Sequence, residues 1–469
     1  MTDAPAGSTT TASPARSRPA RRSPTELTFR LDDAYVASLT ADEPDWLAAD
    51  RREAAVAVRA LPIEPNQLYT TYLDLRAADL AEVRPYATTA TARATGPHRE
   101  LPEASGIGSF VEDRILDIDL NREATEAGVT IETARGLLDR EPDTARRLLV
   151  EASPIPADDP LAQLTRAGWN QGVVIRVPAG AHLDGPILLR WAVGAPGKAL
   201  LTRTVIELGE GAEASIVEEL VASDDAVAGR QALLTGTTEV HLAADARLSV
   251  ASLQELGPDQ IAFQHRLSVI GEGADLHWAL AQLGGRLVRS RVDNRLEGDR
   301  SRVSQAEIVF GSGEQLFDLT SYTRHVGRDT TGDLLSKGAL LDSSRSYMKG
   351  LIIIEHSAHG TDSFLGEFGM NLSRSARAVA IPSLEIDQPD CRRAAHSSSV
   401  GPIDETQLFY LESRGIAPDE ARKFIVLGFL EPVVARIPLP DAEARLRDLL
   451  DAKWTRSAGE PTAEGSTAA

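Results

Sequence analysis

Gly211-Ala-Glu-Ala-Ser-Ile216, Asp245-Ala-Arg-Leu-Ser-Val250 and Gly273-Ala-Asp-Leu-His-Trp278 repeat one phrase: a turn residue, a small residue, then alternating polar and apolar positions. Further copies begin at Asp299, Ser343 and Ser375, so that the first residues are spaced by 34, 28, 26, 44 and 32. Alternation with a period of two marks strands, and no helical periodicity intervenes. Short strands recurring at this interval predict the stacked coils of a β-solenoid. A β-sandwich would show shorter, more even spacing and Asn-Gly hairpin turns, and the sequence has no Asn-Gly. Upstream, Gly172-Val-Val-Ile-Arg-Val177 and Pro186-Ile-Leu-Leu-Arg-Trp191 read as the first strands, separated by Gly/Pro turns.

The flanks read differently. Residues 1–25 are rich in Ser, Thr, Pro, Ala and Arg, which predicts a disordered tail, and 457–469 has the same character. From Asp42 to Leu164 the expectation is helical. Thr40 and Glu43 have capping-box spacing, and Leu47, Ala54, Val58 and Leu61 recur at helical steps up to Pro62. Ala124–Leu149 adds a further helix. Past the strand region, Asp404 and Gln407 open a helix with Leu408 and Leu411 on one face, which halts at Gly415. Pro418 starts the next, with Ala421, Ile425 and Phe429 at i+4 spacing, and Leu446, Leu449 and Leu450 mark a third. The expected organisation is a helical domain over 26–164, a β-solenoid over 165–400 and a helical domain over 401–456. The apolar faces of that last, small unit point to a docked partner.

Composition narrows the function. Across 469 residues the formal net charge is -20, which disfavours nucleic acid and anionic lipid surfaces as partners. The longest apolar runs, such as Leu351–Ile354, fall far short of the ~20 residues of a membrane span. A single cysteine, Cys391, and no apolar leader fit a reducing cytoplasm.

Chemical motifs are sparse. There is no H-E-x-x-H, C-x-x-C, phosphate-loop or Gly-x-Ser-x-Gly element. Asp245, Asp275 and Asp299 fall in successive coils and would suit a glycan-cleaving carboxylate pair, but Asp at turns is ordinarily there for backbone hydrogen bonding. His356 and His359 read as loop histidines. Asp390-Cys391-Arg-Arg-Ala-Ala-His396 concentrates soft-ligand chemistry, a thiol and an imidazole five residues apart. Two donors do not complete a metal site, so further ligands would come from another chain.

His396-Ser-Ser-Ser-Val-Gly401, Gln407-Leu-Phe-Tyr-Leu411, Ser413-Arg-Gly-Ile416 and Glu420-Ala421 resemble the C-terminal signature of the SufB/SufD iron–sulfur cluster assembly family. Lys349-Gly-Leu-Ile-Ile353, Pro382-Ser-Leu-Glu-Ile386 and Gly172–Pro178 fit it as well. The resemblance implies a mainly β protein, a right-handed parallel β-helix (β-solenoid) core flanked by N-terminal and C-terminal α-helical domains. It also implies a non-catalytic, cytoplasmic subunit of a SufB–SufC–SufD complex. The β-helix would pair with SufB and the C-terminal helices with the SufC ATPase, and the chain would share a transient iron–sulfur cluster with SufB, holding none stably alone. Ala376 and Ser397 stand where SufB-type chains carry a cysteine and a glutamate, which favours the SufD branch. By position, His396 is then the candidate cluster or iron ligand at the SufB interface and Cys391 a weaker one. Leu408, Phe409, Tyr410, Leu411, Arg414, Gly415, Ala421, Ile425 and Phe429 are the candidate partner-binding residues. A SufB-type scaffold and a β-helix polysaccharide lyase or hydrolase are the alternatives, and a homodimer in the absence of SufB stays open.

Overall fold

The computed structural model describes residues 22–86, 92–95, 103–437 and 439–458. Four short strands come first: β1 (Arg84–Pro85), β2 (Gly106–Val111), β3 (Arg114–Leu120) and β4 (Thr130–Thr133). The chain then winds between two parallel sheets. One holds β5 (Gln171–Val177), β7 (Lys198–Leu208), β9 (Ala232–Leu242), β11 (Gln260–Ile270), β13 (Leu287–Leu296), β15 (Leu316–His325), β17 (Arg345–Ile354) and β19 (Arg377–Ile386). The other holds β6 (Ile187–Val193), β8 (Glu213–Ala222), β10 (Arg247–Glu255), β12 (Asp275–Gln282), β14 (Arg302–Gly311), β16 (Thr331–Leu340), β18 (Asp362–Asn371) and β20 (Arg393–Pro402). From β6 onward odd strands pair only with odd and even with even, so each coil stacks on the one before it. The result is a parallel β-helix of about eight coils.

The turn phrase has a structural cause. At the corner leading into the even-numbered sheet, Gly211, Asp245, Gly273, Arg300, Asp329 and Gly360 all adopt φ between 54° and 73°. The amide of each donates to a carbonyl of the next turn at 2.7–2.9 Å. The following residue, Ala212, Ala246, Ala274, Ser301, Thr330 or Thr361, is fully buried and has to be small. The spacing of 44 residues arises because the copies at Ser343 and Ser375 precede β17 and β19, on the opposite corner. From Glu213 through Arg247, Asp275, Arg302, Thr331 and Asp362 to Arg393 the true coil is 27–34 residues, and these seven stand in one register column.

Trp191, Trp278, Phe317, Val250 and Leu276 fill the space between the sheets. The outer faces are covered by the two ends of the chain. Phe29, Leu73, Leu75, Leu80, Leu161 and Leu164 lie on the odd-numbered sheet against Ile261 and Phe263. On the even-numbered sheet, Ala279, Ala306, Ile308 and Phe310 take Val426, Leu430 and Val433 of α8 (Pro418–Val434) and Leu446, Leu449 and Trp454 of α9 (Pro440–Ala458), while α7 (Glu405–Ser413) leads into α8. Much of the apolar surface expected to await a partner is therefore covered by the β-helix itself.

The N-terminal region departs from a purely helical reading. Its helices are α1 (Asp33–Thr40), α2 (Asp45–Ala60), α3 (Arg122–Glu126), α4 (Ala134–Arg140), α5 (Pro142–Arg146) and α6 (Pro160–Gly168). Thr40 ends α1, which is capped by Asp32, and Pro44 precedes α2, so Thr40 and Glu43 form no capping box. Glu43 instead receives Arg51 in a buried two-point pair at 2.8 and 2.9 Å. Ala124–Leu149 breaks into short helices around β4. The strands β2 and β4 extend the two sheets, and β2 forms a hairpin with β3 in which Glu112 takes φ 54° without an Asn-Gly signal. The tails expected at 1–25 and 457–469 lie outside the described residues except for 22–25 and 457–458. Arg22 is held by the carbonyls of Arg76 and Ala78 at 3.0 and 3.1 Å.

Because α8 is held mainly by apolar contact with the sheet, Leu430→Ala should loosen the C-terminal layer by about 2–5 kcal/mol. Hydrogen exchange of the α8 amides checks this: they should exchange faster while the amides of β9 and β11 do not change.

Candidate functional site

No strand among the described residues caps the last coil of either sheet. Among the described residues β19 pairs only with β17 and β20 only with β18, so each presents one open edge of N–H and C=O groups. His396 lies on β20. In the even-numbered sheet Val250, Trp278, Gln305, Leu334, Leu365 and His396 occupy one register column. The first five are at most 2% exposed, because each is covered by coils on both sides. His396 is exposed, since no coil follows. An inward-facing position has become a surface position by the ending of the stack.

Cys391 lies in the turn entering β20, half-buried against the cluster of Leu334, Ile352, Ile354, Ala358 and Leu365. The thiol and the imidazole thus belong to the same end of the β-helix. Arg392 and Arg393 are engaged elsewhere, with Asp329 and with Asp362 (Nε to Oδ1, 2.6 Å). His359 stands over the same turn, its Nδ1 3.3 Å from Asp390 and its Nε2 3.1 Å from the Gln388 amide, as a turn histidine would. Among the described residues no group of three or more His, Cys, Asp or Glu side chains is arranged to hold a metal ion. The aspartates considered for glycan cleavage do not share a position. Asp245 is at the left-handed turn, Asp299 accepts the Arg328 amide at 2.8 Å, and Asp275 begins a strand beside His277.

The interior behind His396 was not legible as a site. Glu218, Ser252, Leu280, Glu307, Ser336, Glu367 and Ser398 form the neighbouring inward column. Glu218 is satisfied by Ser252 (2.6 Å) and Arg266 (2.9 Å). Glu307 has only Gln282 and Ser290, at 3.4 and 3.3 Å, and burial pushes its carboxyl up to about 7. Glu367 accepts the Ile381 amide at 3.0 Å. Burial, and to a lesser degree Glu307, push it up to about 8. Gly350 opposite leaves the room, since a Cβ there would come within 2.9 Å of Glu367 Oε1 and 2.3 Å of Leu365. The signal in the sequence is a glutamate at the inward phase of a strand, as in Ala306-Glu307-Ile308.

The C-terminal candidates divide cleanly. Leu408 and Ala421 are buried, and Leu411, Ile425 and Phe429 are half-buried. Phe429 lies under Lys337, whose Nζ donates to its carbonyl at 2.8 Å. Phe409, Tyr410, Arg414 and Gly415 face outward. Asp404 caps α7 by accepting the amides of Thr406 and Gln407, and Gly415, at φ 88°, ends the turn that follows. Phe409, Tyr410 and Phe424 are 72, 56 and 54% exposed, a cost in water that a covered face would remove.

Fold and site together define a parallel β-helix protein with an exposed imidazole on an open sheet end and an apolar face on its last helices. Residues 191–429, from β6 to α8 and just over half of the chain, match the family described as SUF system FeS cluster assembly, SufBD core domain. The chain is 26% identical to the iron-sulfur cluster assembly protein SufD of Bacillus subtilis (strain 168) over 337 residues, which cover 72% of this chain and 76% of that protein. It is 25% identical to an iron-sulfur cluster assembly SufBD family protein of Staphylococcus epidermidis (strain ATCC 12228) over 343 residues, 73% of each chain. The chain belongs to the SufB/SufD family of iron–sulfur cluster assembly proteins.

The buried carboxyls make stability depend on pH. Glu367 keeps a proton in the folded state that an unfolded glutamate loses near 4.5, so its contribution is complete below 4.5 and disappears as pH rises towards 8. The melting temperature should fall across that window. Glu367→Gln should flatten the fall, and equal slopes for the two chains would show that the carboxyl enters the core ionised.

Proposed function

We propose that the chain is the SufD-like, non-catalytic subunit of a cytoplasmic SufB–SufC–SufD assembly complex, in which it lends His396 to an iron–sulfur cluster held mainly by a SufB partner. The observation that carries this is the placement of His396, the exposed last member of a column otherwise sealed inside the β-helix. A lone imidazole is a soft donor but not a site, and the cluster, as cargo, takes its other ligands from across the interface. The open edges of β19 and β20 supply the means of joining. A second β-helix adds strands to both sheets at once, and Ile386 and Val400, 44 and 39% exposed on those strands, become covered. Cys391, packed in its apolar cluster, takes a lesser part or none.

Residues 401–456 form the docking unit for a SufC-type ATPase. Phe409, Tyr410 and Phe424 are its contact face, with Arg414 beside Tyr410 (5.1 Å from guanidinium to ring). Leu408 and Ala421 hold the helices beneath. Hydrolysis belongs to that partner, and this chain transmits the movement to the interface where the cluster grows.

In cells lacking the native chain, His396→Ala should lower the activity of cluster-dependent enzymes at least tenfold while SufC binding stays intact. Full activity would remove His396 from the site. Cys391→Ser should leave that activity within about twofold, a surface-scale effect. The double variant Phe409→Ser/Phe424→Ser should weaken capture of a SufC homologue more than tenfold with an unchanged melting temperature. Retention of binding would place the contact elsewhere.

A further inference from the structure

A cleft of about 770 Å³ runs along the second corner of the β-helix, where the chain passes from the even-numbered to the odd-numbered sheet, and α9 closes one side of it. Its floor is made of successive turns, Leu256–Pro258, Leu283–Gly284 and Ser312–Gln315, and the volume is that of a small-molecule site. Three of the residues that give it charge, Arg445, Lys453 and Arg456, lie on α9, beyond the span matched by the family.

Five basic side chains line the cleft, Arg190, Arg286, Arg445, Lys453 and Arg456, against the acids Glu255, Glu314 and Asp342; Arg190 is paired with the buried Glu219, which leaves the other four basic groups facing three acids. That excess is local, in a chain whose formal charge is -20. Glu255 serves two arginines. Arg456 donates to it at 3.0 Å, while Arg445 stands 3.9 Å away, outside hydrogen-bonding distance. Arg286 meets Glu314 at 2.8 Å through one nitrogen of its fork. Lys453 is 5% exposed and reaches under α9 to the Leu283 carbonyl and to Gln315 Oε1 (2.8 Å), with the rings of Phe310 and Phe317 at 5.7 and 5.9 Å. Two acceptors leave one of the three ammonium hydrogens for a further partner. Burial, and next Arg456, hold this lysine down to about 7, so an anion in the cleft would restore its full charge.

We propose that this cleft binds a small phosphate-bearing molecule, gripped by the guanidinium forks of Arg286, Arg445 and Arg456 above the ammonium of Lys453. Planar forks match the oxygens of a phosphate in pairs, and a doubly charged group outweighs the single carboxylate that Arg445 and Arg456 now share. The apolar wall of Val221, Leu256 and Pro258 leaves room for the body of an ester. The inference does not depend on the assembly role above.

The test is calorimetric titration of the full chain at pH 7 and low salt with inorganic phosphate, pyrophosphate and adenosine monophosphate. At least one should bind with Kd below about 1 mM. Equal affinity for all three identifies free phosphate as sufficient, and a tenfold preference for the larger two identifies an ester or diphosphate. Arg445→Gln/Arg456→Gln, at half-exposed positions, should weaken binding at least tenfold while the melting temperature stays within a degree or two. No heat from any of the three up to 5 mM, or unchanged affinity in the double variant, overturns the proposal.

Discussion

The structure depends on the in-register stacking of one coil on the next. Each left-handed corner donates its amide to the following corner, and each strand hydrogen-bonds to the strands one coil before and one coil after. Stacking of this kind satisfies every interior coil and cannot satisfy the last. An edge strand carries a row of unpaired backbone groups and half-covered side chains, which proteins cap, charge or pair. Here the first coils receive β2 and β4, together with helices laid on the odd-numbered sheet, whereas β19 and β20 are left open. The exposed imidazole, Ile386 and Val400 all follow from that ending.

The two outer faces are disposed of differently from the ends. Apolar segments from the N-terminal region cover one sheet and α8 and α9 cover the other, so neither face is available to a second chain over the covered area. Large apolar side chains stay exposed at the open end, Ile386 and Val400, and on the outward side of α7 and early α8, Phe409, Tyr410 and Phe424. The helical layer is tied to the sheet through α8, whose Phe429 carbonyl accepts Lys337 on β16, two strands from the edge.

Much of the fold could be read from the sequence because the corner constraint writes itself into residue types. A left-handed turn followed by a buried small residue gave the phrase at Gly211, Asp245 and Gly273. Its irregular spacing came from copies on two corners that use the same residue types for the same reason. The flanks were harder. Thr40 and Glu43 imitate a capping box, yet Glu43 is committed to Arg51, eight residues on, a pairing that the capping spacing does not reveal. The strands β2 and β4 are short and join a sheet whose pattern is set elsewhere. His396 was found through the signature around it, and its position at the end of a buried column could not be inferred, since Leu365 and His396 share nothing as residues. The buried Glu307 and Glu367 were missed because a glutamate on a strand reads as solvent-facing until the register turns it inward.

Hydrogen exchange of the edge strands tests the central claim most directly. Amides of Ile381–Ile386 on β19 and Ala395–Val400 on β20 should exchange rapidly in the free chain and become protected when a SufB homologue is added, while β9 and β11 stay as they were. If the two strands exchange at the same rate alone and in the assembled complex, the open end is not where the partner joins, and the shared site built on His396 fails with it.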